Sequence, residues 1–260
     1  MEKDKLLVET AALAGEIMLV SGAEIYRAET TIQHILALDK RKHGGNVVLS
    51  TGIYLSLDDP EGDTITVVRR VSDRATNLNR VYEVNNVSRR LCGGEISLEE
   101  AYRDLLQIKK TIIYRPFIRN LGYLGVCLFF AVLFGGSPVD WLAAGLVGVV
   151  LALVMAFAKK IRFNDFCTEV IAAFFIGMTA LGLKAWFLPD LHRDTVIVSA
   201  IMPLVPGVIF TTAIRDTLNG DYSAGAARML EAIVTALAVA AGVGASMGLF
   251  QAMMGGAFPW

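Results

Sequence analysis

The residues best suited to chemistry follow a break in the apolar stretch between residues 196 and 231 of this 260-residue sequence. Pro203, Pro206 and Gly207 interrupt a run that is long enough to cross a membrane. Because a bilayer has no water to satisfy the carbonyl groups that a proline frees, broken helices at that depth typically line a substrate path in transporters. The alternative is a kink that only shapes helix packing. The polar residues that follow favour a substrate path: Thr211, Thr212, Arg215, Asp216, Asn219, Asp221, Arg228 and Glu231.

Charged side chains inside membrane segments are costly, so each of them is a candidate for function. We expect Arg228 or Arg215 to meet a substrate carboxylate, and Glu231 or Asp216 to carry a coupling proton. Glu231 shares a helix face with Arg228 and Thr235. Two structural alternatives stay open. One is an Arg228–Glu231 pair that only stabilises its helix, and the other is a salt bridge or helix-dipole partner at Arg215 and Asp216.

A second group of polar residues lies in the N-terminal part of the chain. Glu24, Arg27 and Glu29 form one polar helix face, which is either a site or a solvated surface. Thr51 is a weak nucleophile candidate, because serine and threonine beside glycine are common in turns. Arg70 offers a positive charge for an anion or an acidic neighbour.

Other kinds of chemistry find little support. Glu169 is expected at the membrane interface, Lys184 is expected to extend outwards, and His192 falls in an outer loop. The sequence has no Ser-His-Asp arrangement, phosphate-binding loop or metal-ligand spacing, and its three cysteines are isolated. No catalytic residue, metal or cofactor is therefore predicted. The balanced charge argues against nucleic-acid binding.

Charge is distributed unevenly along the chain. This places the polar residues after the proline break and those of the N-terminal part in different domains. Residues 1–116 hold 16 Lys/Arg and 17 Asp/Glu, whereas residues 117–260 hold 8 of each. With 54% hydrophobic residues and a mean hydropathy of +0.52, the chain is more apolar than ordinary soluble domains. We predict a cytoplasmic α+β domain over residues 1–116 and an α-helical membrane domain of five transmembrane helices over residues 117–260. No signal-peptide pattern opens the sequence, so the first domain is expected in the cytoplasm.

Periodicity predicts the elements of the N-terminal domain. Apolar residues at helical spacing predict three helices, the first of them amphipathic, over residues 3–21, 23–38 and 77–91. A capping box from Ser97 to Glu100 predicts a fourth helix. Between them, β-branched and aromatic residues predict a β-hairpin over residues 46–71 with its turn at residues 58–63.

Five apolar runs follow, each close to the ~20 residues that cross a hydrocarbon core. They cover residues 117–134, 138–158, 166–188, 196–214 and 224–250. The distribution of Lys and Arg between the loops predicts a cytoplasmic N-terminus and an external C-terminus. Small residues recur at every fourth position of the fifth run and predict close packing within the subunit or across an interface: Ala224, Ala232, Ala236, Ala240, Gly244 and Gly248.

Several segments carry a resemblance to a known family. Gly22-Ala23-Glu24-Ile-Tyr-Arg27-Ala-Glu29 resembles a G-A-x-x-x-R-x-E motif, and Thr51 to Ser56 and Arg69-Arg70-Val71 resemble the strands that follow it. Pro203-Leu-Val-Pro206-Gly207 with Arg215-Asp216, Gly220-Asp221, Ser223, Gly225 and Arg228 resembles a P-L-V-P-G…D…G-D…G…R block. On these residues the chain resembles the threonine/serine exporter family of bacterial membrane proteins, from about residue 8 to residue 250.

The resemblance implies export of small amino acids from the bacterial cell through the inner membrane, by exchange with a cation gradient. Single-chain members carry a second run of spans, whereas this sequence stops at Trp260. It therefore resembles the larger subunit of the split form, which works with a separate small membrane protein and is associated with succinate export in enteric bacteria. Thr211-Thr212 stands where the family often has Asn. The expected substrate is thus threonine or serine, or a dicarboxylate such as succinate.

Two other roles stay open for the N-terminal domain. Either it is an enzyme or sensor domain that the transmembrane helices only anchor to the membrane, or it is a structural gate or oligomerisation platform. Its balanced charge and helical faces suit the gate or platform better than catalysis. Family analogy also suggests a hydrolase-like domain, but no residue arrangement supplies a mechanism. The expected assembly is a hetero- or homo-oligomer surrounded by membrane lipid.

Overall fold

The computed structural model describes residues 2–39, 43–58, 64–71, 75–111 and 115–254. The chain forms two compact units. The first unit comprises Met1–Ile112 and Gly207–Leu230, and the second comprises Ile113–Pro206 and Glu231–Trp260. Residues 207–230 group with the N-terminal part of the chain. The predicted boundary at residue 116 between a cytoplasmic and a membrane domain stays a prediction.

Four helices of the first unit lie where the sequence predicts them: α1 (Glu2–Val20), α2 (Ile25–Leu36), α3 (Leu78–Cys92) and α4 (Leu98–Lys110). Ser97 and Glu100 form the predicted capping box at the start of α4. A tight corner joins α1 to α2, and Gly22 adopts a φ of +81° there. Glycine suits this position because a side chain would strain a left-handed backbone.

The sheet has one strand more than the predicted hairpin. Its antiparallel strands are β1 (His43–Leu49), β2 (Gly52–Asp58) and β3 (Ile65–Arg70), in that order. The sequence favoured one long strand up to Leu57, but the chain turns at Ser50 and Thr51 and splits it into β1 and β2. Small polar residues before a glycine are typical of such a turn. β2 and β3 pair as predicted, and the predicted turn between them lies mostly outside the described residues.

α1 is the central helix of the first unit. It was expected to be amphipathic, yet it is buried on nearly all sides between Leu7 and Leu19, because α2, α3, α4, β2 and β3 all pack against it. Its small residues permit this close approach. A Cβ added at Gly15 would lie 2.5 Å from Cδ1 of Ile32 on α2 and 3.1 Å from Cδ1 of Ile53 on β2. The functional elements of this unit are therefore attached to a rigid core.

The remaining helices follow in chain order: α5 (Pro116–Leu133), α6 (Pro138–Ile161), α7 (Asp165–Trp186), α8 (Arg193–Ile201), α9 (Gly207–Leu218) and α10 (Tyr222–Met253). Within the described ranges α6, α7 and α10 are long and apolar enough to cross a membrane, and residues 193–204 with 207–218 form a fourth candidate span if counted together. The apolar part of α5 is shorter. The described residues therefore support three or four of the five predicted membrane spans.

Within this chain, the predicted ridge of small residues on α10 is buried only in part. Ala224 and Ala232 are buried, whereas Ala236, Ala240, Gly244 and Gly248 are exposed. Four residues advance about 40° beyond a full helical turn, so a strict four-residue repeat winds around the helix. The close approach lies at Gly242 instead, where an added Cβ would clash with the carbonyl oxygen of Val170 on α7.

Candidate functional site

Two motif segments that lie far apart in the sequence meet within the first unit. One is the corner before α2, and the other comprises the last turn of α9 and the first turns of α10. Both segments were singled out from the sequence, but they were assigned to separate domains. Their charged side chains form a single cluster, which we call the corner cluster: Glu24, Arg27, Arg215, Asp216 and Arg228.

Asp216 binds the N-terminus of α2. Its Oδ1 accepts a hydrogen bond of 3.1 Å from the backbone N–H of Ile25, the first residue of that helix. Glu24 occupies the N-cap position, but its own side chain makes no capping hydrogen bond. A carboxylate at a helix N-terminus satisfies a free N–H group and interacts favourably with the helix dipole. Asp216 thus caps α2 from a segment 191 residues away.

Arg228 completes the buried part of the corner cluster. Its Nη1 lies 2.9 Å from Oδ2 of Asp216, and its Nη2 donates a hydrogen bond of 2.8 Å to the carbonyl oxygen of Ala23. The side chains of Arg228 and Asp216 are only 5% and 0% exposed. An ion pair removed from water this completely needs both partners, because either charge left alone would be strongly unfavourable.

Glu24 links the buried pair to the protein surface. One carboxylate oxygen accepts a hydrogen bond from Arg215, and the other lies 3.3 Å from Nη1 of Arg27. Burial raises the pKa of Glu24, but the hydrogen bonds from its own backbone N–H and from Arg215, together with the charge of Arg27, outweigh this and hold the pKa below its ordinary value. The Glu24 carboxylate is therefore ionised at neutral pH.

Glu29 connects the same helix to the sheet. Its Oε1 accepts a hydrogen bond of 3.3 Å from the backbone N–H of Val48 on β1. Burial raises the pKa of Glu29 above its ordinary value; the hydrogen bond from Val48 opposes the shift, and the charge of Asp221 adds to it. The polar face of α2 is thus a set of specific contacts rather than a solvated surface.

The sequence also matches a family of known proteins, described as putative threonine/serine exporter, over residues 9–250. The chain belongs to the threonine/serine exporter family. A probable threonine/serine exporter of Mycobacterium tuberculosis is 22% identical over 242 residues, which cover 92% of this chain and 45% of that protein. A threonine/serine exporter of Corynebacterium glutamicum is 22% identical over 251 residues, which cover 94% of this chain and 51% of that protein.

An uncharacterized protein of Schizosaccharomyces pombe is 24% identical over 200 residues, which cover 74% of this chain and 24% of that protein. The present exporter-family chain spans about half the length of the two bacterial exporters. No solved structure matches its sequence. The apolar helices and the family together show that this is a membrane protein of an exporter family.

Other residues singled out in this exporter-family chain lie in the segment that joins α8 to α9, on α9 and around the sheet of the first unit. Pro203 lies in a 3-10 turn at Met202–Leu204, and Pro206 directly precedes α9, which begins at Gly207. The hydroxyl groups of Thr211 and Thr212 donate to carbonyl oxygens of their own helix, Thr212 to Val208 at 2.7 Å. In the first unit, Thr51 lies in the β1–β2 turn and Arg70 is exposed on the sheet.

Glu231 lies in the neighbourhood of another carboxylate within the second unit. Glu169 on α7 is close enough to Glu231 on α10 for their charges to interact, and the Thr235 side chain hydrogen-bonds Glu169. The Oε2 atom of Glu169 is buried and has no hydrogen-bond partner among the described residues. The sequence placed Glu169 at the membrane interface and gave no sign of this pairing, because the two residues lie on different helices.

A second buried carboxylate was missed altogether. Asp140, at the start of α6, is fully buried and accepts hydrogen bonds from the backbone N–H of His192 at 2.8 Å and from the Ser137 hydroxyl at 2.8 Å. The His192 Nδ1 atom lies 2.9 Å from Asp140 Oδ2. The signal was present as a capping pattern from Ser137 to Asp140. This carboxylate fastens the start of α8 to the start of α6.

In the parts of the chain that the structure describes, no group of three or more His, Cys, Asp or Glu side chains is placed to hold a metal ion. The carboxylates of the corner cluster are bound to arginines and to a backbone N–H instead.

Proposed function

We propose that this protein is a subunit of a bacterial inner-membrane exporter of small carboxylate-bearing metabolites: threonine or serine, or a dicarboxylate such as succinate. The observation that carries the proposal is the interrupted helix α8–α9, followed directly by the corner cluster, in a chain of the threonine/serine exporter family. Backbone groups freed at Pro203, Pro206 and Gly207 and the hydroxyl groups of Thr211 and Thr212 line the substrate path in this proposal. The N-terminus is cytoplasmic and the C-terminus external.

The corner cluster supports a gating role for the N-terminal domain. Asp216 and Arg228 tie the start of α2 to α9 and α10, and each has its charge satisfied within the first unit. Any displacement of α9 therefore displaces α2 as well. Arg215 is 63% exposed, in contrast to Arg228, and of the two it is the better candidate to meet a substrate carboxylate.

Coupling to a proton gradient is assigned to Glu231 together with Glu169. Neighbouring carboxylates on adjacent membrane helices repel each other when both are charged, which favours proton uptake by the pair. Thr235 orients the Glu169 carboxylate. Uptake and release of this proton would be coupled to export of the substrate.

We expect Glu231→Gln to remove the dependence of export on the pH gradient, because glutamine has nearly the same shape but cannot take up a proton. Initial export rates from proteoliposomes with and without an imposed pH gradient measure this. Glu99→Gln, on the exposed first turn of α4, is the matched control and should leave the dependence intact. Unchanged pH dependence in Glu231→Gln would remove this residue from coupling.

The decisive test of the proposed function compares this chain alone with this chain plus a small membrane protein that supplies the remaining part of the pathway. Because the chain spans about half the length of the two exporters it resembles, we expect flux of radiolabelled threonine, serine or succinate only when both proteins are present. Flux from this chain alone would disprove the need for a partner. No flux of any of the three substrates from the folded pair would contradict the exporter proposal.

A further inference from the structure

The outer face of the three-stranded sheet is apolar at its centre, and its central side chains are exposed in the part of the chain that the structure describes. Val47, Tyr54 and Val68 are direct neighbours across the three strands, since Val47 pairs with Tyr54 and Tyr54 pairs with Val68. They are 56%, 47% and 60% exposed. We call these three residues the apolar row. Its three large side chains occupy adjacent cross-strand positions, where their exposed surfaces are contiguous.

The inner face of the same sheet accounts for its fold without this row. Val48, Ile53, Leu55 and Leu57 point inwards and belong to the core of the first unit. Arg69 also points inwards and pairs with Glu9 on α1. Successive strand residues alternate between faces, so the apolar row points away from that core and contributes nothing to it. Contiguous exposed apolar surface of this kind marks an interaction site.

The residues around the apolar row show what kind of surface would fit it. The next row along the strands consists of small residues: Gly45, Ser56 and Thr66 are mutual neighbours. Arg70 lies at one end of the face, opposite Gly52, and Asp58 lies at the other end, six residues further along β2. At the rise of a β-strand, this separates the two charges by roughly 20 Å.

We propose that this face binds the same face of a second copy of this chain. A two-fold axis that runs across the strands, between the apolar row and the small row, reverses the strand direction of the second copy. Each apolar row then lies on the small row of the other copy, which leaves space for the Tyr54 ring. The same rotation brings Arg70 of each copy towards Asp58 of the other, so the favourable charge contact forms twice.

The size of the face fits an assembly that depends on the membrane. Three strands of about six residues cover roughly 14 Å by 20 Å, or about 300 Å² per copy, which is smaller than the roughly 800 Å² per partner of a stable interface between proteins in solution. Two copies held in one membrane meet at a raised effective concentration, so a small interface suffices. The dimer is therefore expected in membranes and nanodiscs, and to dissociate on dilution in detergent.

Charge reversal tests the proposal directly. Arg70→Asp and Asp58→Arg each place two pairs of like charges in the interface, and each should raise the dimer dissociation constant about tenfold or more. The double variant Arg70→Asp/Asp58→Arg restores both attractive contacts and should recover dimer formation. Arg89→Asp on α3, an exposed site away from the sheet, makes the same charge change and should have no effect. The measurement is the dimer fraction of the full chain in proteoliposomes, by energy transfer between labelled copies across a series of protein-to-lipid ratios.

A substitution at the centre of the face tests the apolar contact. Tyr54→Thr keeps a residue that favours strands, and circular dichroism should confirm an unchanged fold. The dimer fraction should fall by at least half at a concentration where the unmodified chain is mainly dimeric. A dimer that persists through both single charge reversals and Tyr54→Thr would overturn the proposal and point to another contact, such as pairing along the free edge of β3. A chain that is monomeric at all concentrations would overturn it as well.

Discussion

Arg228→Met is expected to lower the free energy of unfolding of the full chain by about 3–5 kcal/mol. Methionine fills similar space but leaves the fully buried Asp216 carboxylate without its cation and Ala23 without its donor. Among the described residues, a carboxylate in that position keeps the hydrogen bond from the N–H of Ile25. Thermal unfolding of the purified protein in detergent, followed by circular dichroism, should show a fall in Tm on the order of 10 °C.

Two further variants determine whether burial and pairing cause the effect. Arg215→Met removes a neighbouring arginine that is mostly exposed, so we expect a loss of no more than about 1 kcal/mol. The double variant Asp216→Asn/Arg228→Met removes both buried charges but keeps an oxygen for the N–H of Ile25. It should be clearly more stable than Arg228→Met alone. Equal small losses for Arg228→Met and Arg215→Met would show that the buried pair does not hold the corner cluster together.

Local sequence patterns identified most helices and strands and both motif segments. They did not predict that the two motif segments contact each other. Helix periodicity and capping depend on residues a few positions apart, and these placed α1 to α4 and the β2–β3 pair correctly. The contact between Asp216 and Ile25 depends on how distant segments pack, which periodicity does not encode. Arg215 and Asp216 directly follow one apolar run and Arg228 lies in the next, so they were assigned to a membrane path or to a pair within their own segment. Their partners at the α2 corner could be recognised only in three dimensions.

Glycine and alanine residues account for the other differences between the sequence-based predictions and the structure. The alanines and Gly15 of α1 look like a weak apolar face in sequence, yet they allow five elements to pack around one helix. On α10, Ala and Gly at every fourth position suggested one packing ridge, although the repeat drifts around the helix. Small residues permit close contact without specifying its direction. The direction is set by the neighbouring element, as the contact between Gly242 and α7 shows.

The second large effect on stability is expected at this contact between Gly242 and α7. Gly242→Ala should destabilise the second unit, because a Cβ there would clash with the carbonyl oxygen of Val170 and lie 2.8 Å from Cβ of Ala173 and 3.0 Å from the backbone nitrogen of Phe174. Two of these three atoms belong to the backbone of α7, so no side-chain rotation relieves the clash. Overpacking of this kind costs about 1–3 kcal/mol. Thermal unfolding in detergent measures it.

Gly244→Ala is the matched control on the same helix. No described atom lies within 4 Å of a Cβ at Gly244, so alanine should be neutral or stabilising by up to about 1 kcal/mol through its helix propensity. The two variants should thus differ by about 1–4 kcal/mol. Gly242 also lies seven residues after Thr235, on the same face of α10. Separating α10 from α7 should therefore weaken the Thr235–Glu169 hydrogen bond and reduce pH-dependent export, whereas Gly244→Ala should export normally. Equal losses in both variants would contradict a specific contact at Gly242.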